Sequence, residues 1–419
     1  MSISVKYTIK NNLCTGCGTC EDVCPVSAIS IKYDYENFPI IDTNKCINCG
    51  KCVKVCPGIG CNLESLAKKI FPEESLKKDP YMGLFLETYA GHSNDNEIRF
   101  HGASGGVLSH FLIYLLEKGH IQGAVVTRFS SSDPMRPEPF IATTREDILS
   151  AKSSKYCPVA LNGITKKILA FEGKVIVVGL PCHIQSLRKR LEFDKKLSAK
   201  VVGLFSIYCS SNRNFFAQKF LLDYYGISKG DVKKFAYRDN GCLGNMNLFT
   251  KNDQLALDIP FINYYGALRS FFKPRRCLTC VDHYGELADV NFGDIHINPY
   301  IEDKVGVSSV VVRNPLYHKL IVQAMQEGVL HLEHVDHQVV NESQKEMLYP
   351  KQRKARALMT IDRVLHRKVA VYDKELEKPR VKDFLSEILC NIQRFIGRHP
   401  SLWFVIRYLF KKRMPKEFK

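Results

Sequence analysis

Residues 14–25 read CTGCGTCEDVCP and residues 46–57 read CINCGKCVKVCP. Both runs are C-x2-C-x2-C-x3-C-P, offset by 32 residues, so every cysteine and the closing proline repeat. Thiolates at this spacing hold two 4Fe-4S clusters in bacterial ferredoxins, the fourth cysteine of each run crossing to the other cluster. One cluster is therefore expected on Cys14, Cys17, Cys20 and Cys56, and its twin on Cys46, Cys49, Cys52 and Cys24. Zinc also takes C-x2-C pairs, but four cysteines per run, duplicated and each followed by proline, favour the clusters. A module of this kind moves single electrons and transforms no substrate, so further chemistry must come from the rest of the chain.

The elements that position these and the remaining cysteines are partly readable. Between the runs, AISIKYDYENFPIID has the pattern of a short hairpin. Residues 101–120, HGASGGVLSHFLIYLLEKGH, carry a Ser-Gly-Gly turn and then a helix. Val107, Leu108, Phe111, Leu112, Leu115 and Leu116 share one face of it, and Gly119 is placed to end it. Strands are expected at GAVVTRF (123–129), GKVIVVGL (173–180) and KVVGLFSIYC (200–209), with a helix opening at Pro181 and another over 213–226. This alternation predicts an α/β layer with ligands beyond the carboxyl ends of its strands. Cys182 and Cys209 each follow a strand end, and RRCLTC adds Cys277 and Cys280. A third 4Fe-4S cluster on these four is one reading. Zinc on Cys277 and Cys280 with Asp282 or His283, or plain burial of small apolar thiols, are the others. Cys61 reads as a bystander.

Five stretches in one order go further: SGGVLSHFLIYLLEKGHIQGAVVT, SKYCP, GKVIVVGLPCHIQSLRK, YRDNGCLG and CLTCVDHYGELADVNFGDIHI. Over about residues 83–335 the chain resembles the coenzyme F420 hydrogenase/dehydrogenase beta-subunit family, preceded by a ferredoxin module as in many relatives. The resemblance implies an iron-sulfur flavoprotein oxidoreductase, with FAD in an α/β core and the third cluster on Cys182, Cys209, Cys277 and Cys280. It makes Ser104, Gly105, Gly106, Lys155, Tyr156, Gly293 and Asp294 candidates for FAD binding, and Lys155 and Arg238 candidates nearest the chemistry. Gly241 and Phe292 belong to the same motifs. An ammonium can pair with a phosphate or a reduced flavin ring. On the residues alone, Lys155 reads equally as a solvated loop lysine, the Gly-Gly as a tight connection, and Asp294 as a turn aspartate. Cys242 stands where relatives often carry a bulky aromatic, which leaves the second substrate open. No G-x-G-x-x-G follows a strand. The thirteen histidines form no H-E-x-x-H, and neither His183 nor His296 is nominated as acid or base.

By resemblance, FAD would exchange a hydride with coenzyme F420 or another small-molecule carrier, and a ferredoxin or other redox protein would meet the clusters. Reduction of a different substrate, or service as a non-catalytic electron-transfer subunit, are the alternatives. The expected architecture is α+β followed by α/β. Residues 1–63 form the dicluster ferredoxin module, 64–82 a linker, 83–345 the FAD and iron-sulfur core, and 346–419 a basic helical tail. Net charge is +17, yet residues 351–419 hold 19 Lys and Arg against 7 Asp and Glu, so most of the basicity lies in that tail. In the tail Phe384, Leu385, Ile388, Leu389, Ile392 and Phe395 repeat at helical spacing and Pro400 breaks the run. Such a helix fits either a docked hairpin or an anionic membrane face. Nucleic acid is not expected, because no binding motif accompanies the charge. The opening MSISVKYTIKNNLC has no apolar core of a secretory signal, so a cytoplasmic place is expected, with the tail at the inner face of the membrane as the variant.

Overall fold

The computed structural model describes residues 4–71 and 74–418. Its centre is a mixed eight-stranded sheet made of β1 (Glu87–Ser93), β2 (Gly123–Phe129), β3 (Pro137–Ala142), β4 (Val175–Gly179), β5 (Val201–Ile207), β6 (Val290–Asp294), β7 (Ser308–Val312) and β8 (Leu330–His334). Their order across the sheet is β8-β1-β7-β6-β5-β4-β2-β3. Four consecutive strands, β6, β5, β4 and β2, run parallel, and every other pairing is antiparallel. A parallel strand covered on both faces needs unbroken apolar runs. Val175, Ile176 and Val177 on β4 and Leu204 and Phe205 on β5 are accordingly buried.

Helix α1 (Val107–Glu117) and helix α2 (Pro181–Leu191) begin where the sequence places them. The apolar face of α1 is wider than expected: Ile113 and Tyr114 are buried alongside Phe111, Leu112 and Leu115. A second, three-stranded antiparallel sheet (Val232–Asp239, Asn245–Thr250, Leu255–Pro260) has no counterpart in the expectations. In the N-terminal module the hairpin is present as Ile29–Tyr33 against Asn37–Ile41. One-turn helices Thr19–Asp22 and Lys51–Lys54 follow the cysteine loops.

Two segments behave differently from their composition. Residues 64–82, read as a linker, are structured on both sides of Pro72 and Glu73, which lie outside the described residues. Helix Leu63–Ile70 buries Leu63 and Ala67 while Lys68 and Lys69 stay outside, and Lys77–Asp79 pairs with Gly83–Phe85. The tail is an integral layer. Its strand Val371–Tyr372 pairs in parallel with Gly60–Cys61 of the N-terminal module. Helix α3 (Val381–Arg398) and helix α4 (Trp403–Arg413) follow, and Trp403, Ile406 and Phe410 are buried in an aromatic core with Phe220 and Phe272. Among the described residues no helix is long and apolar enough to cross a membrane.

Candidate redox centres

Cys24, Cys46, Cys49 and Cys52 line one hollow of about 370 Å³. The structure thus brings Cys24 beside the first three cysteines of the second run. In the other set, burial and then the neighbouring thiol of Cys56 push the Cys14 thiol up, while burial and then the thiols of Cys17, Cys14 and Cys56 do so at Cys20. Burial likewise pushes Cys56 up to about 11. Backbone N–H groups already point at these sulfurs: Gly16 donates to Cys14 Sγ (3.4 Å), Gly58 to Cys56 Sγ (3.3 Å) and Ala28 to Cys24 Sγ (3.2 Å). Such donors favour thiolate over thiol.

The adjacent parallel strands β4 and β5 deliver Cys182 and Cys209 to the same edge of the sheet, Cys182 as the second residue of α2. The Cys209 N–H donates to the His283 carbonyl (3.0 Å), which ties the strand end to the segment carrying Cys277 and Cys280. All four thiols, with Cys14, line a single cavity of about 780 Å³. Burial pushes Cys209 up to about 12, and burial followed by the Cys209 thiol raises Cys182. Lys351, only 2% exposed, lines the same cavity. Burial works against its ammonium, while negative charge on the sulfurs of Cys280, Cys209 and Cys277 holds its proton on. Arg276, also buried, donates to the Pro57 and Gly58 carbonyls and to Tyr372 Oη. Four half-buried thiols beside a buried ammonium match an anionic 4Fe-4S group better than four neutral thiols. The zinc alternative finds less support. Asp282 Oδ1 accepts from the Gly285 and Glu286 amides and Oδ2 from Gln185 Nε2, while His283 does not line the cavity.

Helix α2 links this cavity to the N-terminal module. Ser186 Oγ donates to Thr19 Oγ1 (2.5 Å), and Lys189 Nζ donates to the carbonyls of Cys56 (2.9 Å) and Gly60 (2.6 Å). The helix whose first turn bears Cys182 therefore clamps the loop bearing Cys56.

A second centre forms around Arg238, at the end of the unexpected small sheet. Its Nη1 meets Asp294 Oδ2 at 2.9 Å, its Nε donates to the Leu243 carbonyl (2.7 Å), and its Nη2 donates to the Ala103 carbonyl beside Ser104. The Tyr156 hydroxyl lies 3.4 Å from Nη1, and the Tyr156 ring stacks on Phe261 at 5.0 Å. Although burial opposes it, the Arg238 guanidinium holds the Asp294 carboxyl well below the usual range. Four of the expected residues or their neighbours thus share one network. Lys155 stands apart from it: its Nζ donates to the carbonyls of Ala151, Lys152 and Ser153, and burial pushes it down to about 7. Ser104 Oγ faces Ser308 Oγ (3.1 Å), and Gly105 N–H donates to that same oxygen (2.9 Å). Gly106 opens α1 with φ +74°. Gly293 lies under Tyr208, where a Cβ would meet the ring at 1.9 Å. Cys242 sits 4.0 Å from Arg238 Nη2.

Sequence reasoning missed Arg213. It is 3% exposed, its guanidinium lies 4.2 Å from the Tyr265 ring centre, and its Nε and Nη1 have no partner among the described residues. Tyr265 in turn packs on Tyr156 (5.1 Å), so Arg213 stands beside the Arg238 network. Its position four residues after Cys209 was the available signal. Lys351 and Tyr372 were hidden in a segment read as peripheral.

The family described as "Coenzyme F420 hydrogenase/dehydrogenase, beta subunit N-term" matches residues 88–166, and the corresponding C-terminal family matches residues 172–338. Between them they span more than half of the chain. The chain belongs to this family. A 4Fe-4S dicluster domain matches residues 13–58 ahead of it, so this is an iron-sulfur protein of an oxidoreductase family. Among curated proteins, the coenzyme F420 hydrogenase subunit beta of Methanosarcina barkeri is 26% identical over 60% of this chain and 83% of its own length. The coenzyme F420-dependent sulfite reductase of Methanocaldococcus jannaschii is 28% identical over 73% of this chain but only 45% of that longer protein. A chain of the F420-reducing [NiFe] hydrogenase complex of Methanosarcina barkeri shares the fold, with TM-score 0.54, 24% identity, and coverage of 72% of this chain and 99% of that one.

Proposed function

We propose that this family member is an iron-sulfur flavoprotein that joins one-electron traffic through three 4Fe-4S clusters to two-electron exchange with a small carrier, coenzyme F420 by analogy with its relatives. The carrying observation is the cavity where Cys182, Cys209, Cys277 and Cys280 meet Cys14 beside the buried Lys351. Cys14, Cys17, Cys20 and Cys56 would hold one cluster, Cys46, Cys49, Cys52 and Cys24 its twin, and the four cavity thiols the third. When bound, the clusters would supply single-electron transfer and FAD the exchange between one-electron and two-electron steps. The half-unpaired guanidinium of Arg213 supports an anionic group nearby, as a flavin phosphate would provide. Tyr156 and Phe261 offer aromatic surface, and the Arg238–Asp294 pair fixes the loop beside Ser104. Hydride exchange would need these groups for alignment and exclusion of water rather than for proton transfer. Its place on this reading is the reducing cytoplasm, with a ferredoxin-like partner at the N-terminal module.

Iron, sulfide and flavin per chain in anaerobically purified protein test the reading. About twelve irons with one FAD are expected, falling to about eight irons in Cys182→Ser. About eight irons and no flavin in the parent chain, after reconstitution, would leave a dicluster adapter instead.

A further inference from the structure

Helix α3 is amphipathic in the reverse sense from a core helix. Its polar face is the inner one. Asp383 is fully buried, bonded by Tyr349 Oη and the Arg380 N–H (2.7 Å) and paired with Arg353 (3.4 Å). Arg394 Nε donates to the Lys273 carbonyl (2.8 Å). Gly397 comes so close to the core that a Cβ there would lie 1.8 Å from the Phe271 carbonyl oxygen. The outer face carries Val381, Leu385, Ile388, Leu389, Ile392 and Phe395, each between 50% and 77% exposed. On α4, Phe404 and Tyr408 are two-thirds exposed at i, i+4 spacing.

The exposed charges on α3, α4 and the turn between them are of one sign. From Lys378 to Lys416 the only carboxylates are Asp383 and Glu387, and both are buried. Lys378, Arg380, Lys382, Arg407, Lys411 and Lys412 are all exposed. A stripe of Leu, Ile and Phe edged only by cations is the pattern of a helix lying in the headgroup plane of an anionic bilayer. A second copy of the same face would set cation against cation. We infer that the outer face of α3 docks on an anionic lipid surface, with the flanking lysines and arginines at the headgroups and the helix axis along the membrane. No helix of the described residues spans a bilayer, so the attachment is in-plane and reversible. The inference stands independently of the flavin and the third cluster.

Flotation tests it. Full-length, anaerobically purified protein is mixed with vesicles of phosphatidylcholine alone or of phosphatidylcholine with phosphatidylglycerol, then centrifuged through a density gradient. The protein is expected to rise with the phosphatidylglycerol vesicles, remain below with the neutral ones, and be released by salt. Leu385→Glu/Ile392→Glu should lower the bound fraction about tenfold or more, with iron content and Tm unchanged because both side chains are exposed. Lys411→Gln/Lys412→Gln, which leaves the apolar stripe intact, should weaken binding about fivefold for each charge removed. A parent chain that rises with neither vesicle, or variants that bind as well as the parent, would overturn the inference. So would a dimer in solution that Leu385→Glu/Ile392→Glu dissolves, which would give the face to a second copy.

Discussion

The ammonium of Lys351 faces the sulfurs of Cys280, Cys209 and Cys277 from the C-terminal segment. A fixed positive charge beside a cluster stabilises the reduced, more negative state. Replacing it by an apolar side chain of similar length therefore disfavours reduction. Lys351→Met is expected to lower the midpoint potential of the third centre while leaving the dicluster potentials nearly in place. A redox titration followed by electron paramagnetic resonance measures this, and an unchanged or raised potential would contradict it. Asp294 gives a second residue-scale expectation. Its folded carboxyl is held below the unfolded value of about 3.9, so it contributes stability that is complete above that pH. The contribution is lost as pH falls through the lower, folded value. Melting curves between neutral and acidic pH should show Asp294→Asn less stable than the parent near neutrality, the gap closing in acid. Equal gaps at all pH values would rule out the linkage.

At the scale of elements, helix α3 sits where it does because Gly397 allows contact with the Phe271 carbonyl. Gly397→Ala is expected to destabilise the chain by about 1–3 kcal/mol through overpacking, read as a lower denaturation midpoint with an unchanged m-value. The same helix explains what was and was not legible. Val175–Gly179 and Val201–Ile207 were readable because buried parallel strands need continuous apolar runs, and α1 because its period is strong. That Cys24 lies beside Cys46, Cys49 and Cys52 was legible in the spacing of the repeat. The small sheet bearing Arg238 was not readable, since Val232–Asp239 mixes lysines, an arginine and apolar residues that take meaning only from the partner strand. The apolar period of α3 is legible in the sequence, but periodicity says which residues share a face, not which face is covered. Here Asp383 and Glu387 are covered and Leu385 and Ile392 are not.

For the whole molecule, the C-terminal layer is part of the redox core. Tyr372 and Lys351 line the thiol cavity, Val371–Tyr372 holds the N-terminal module by a strand pair, and Lys374 Nζ meets the buried Glu286 at 2.5 Å. Deleting residues 371–419 is expected to open the cavity on the Tyr372 side and uncover the niche of Trp403. Relative to the parent, about four irons per chain should pass faster to an external chelator, followed by absorbance of the chelate. Release at the parental rate would show that the layer is dispensable for the site.

The pairing of Gly60–Cys61 with Val371–Tyr372 also sets an order of birth. The cysteine loops leave the ribosome first, while their covering strand is translated some 310 residues later. At about 5–20 residues per second that interval is of the order of tens of seconds. During it the nascent module has no C-terminal wall, and Cys182, Cys209, Cys277 and Cys280 emerge one after another without Lys351 to neutralise them. On the proposed reading, loading of the third site would await the finished chain, whereas the two ferredoxin runs are complete while synthesis is still under way.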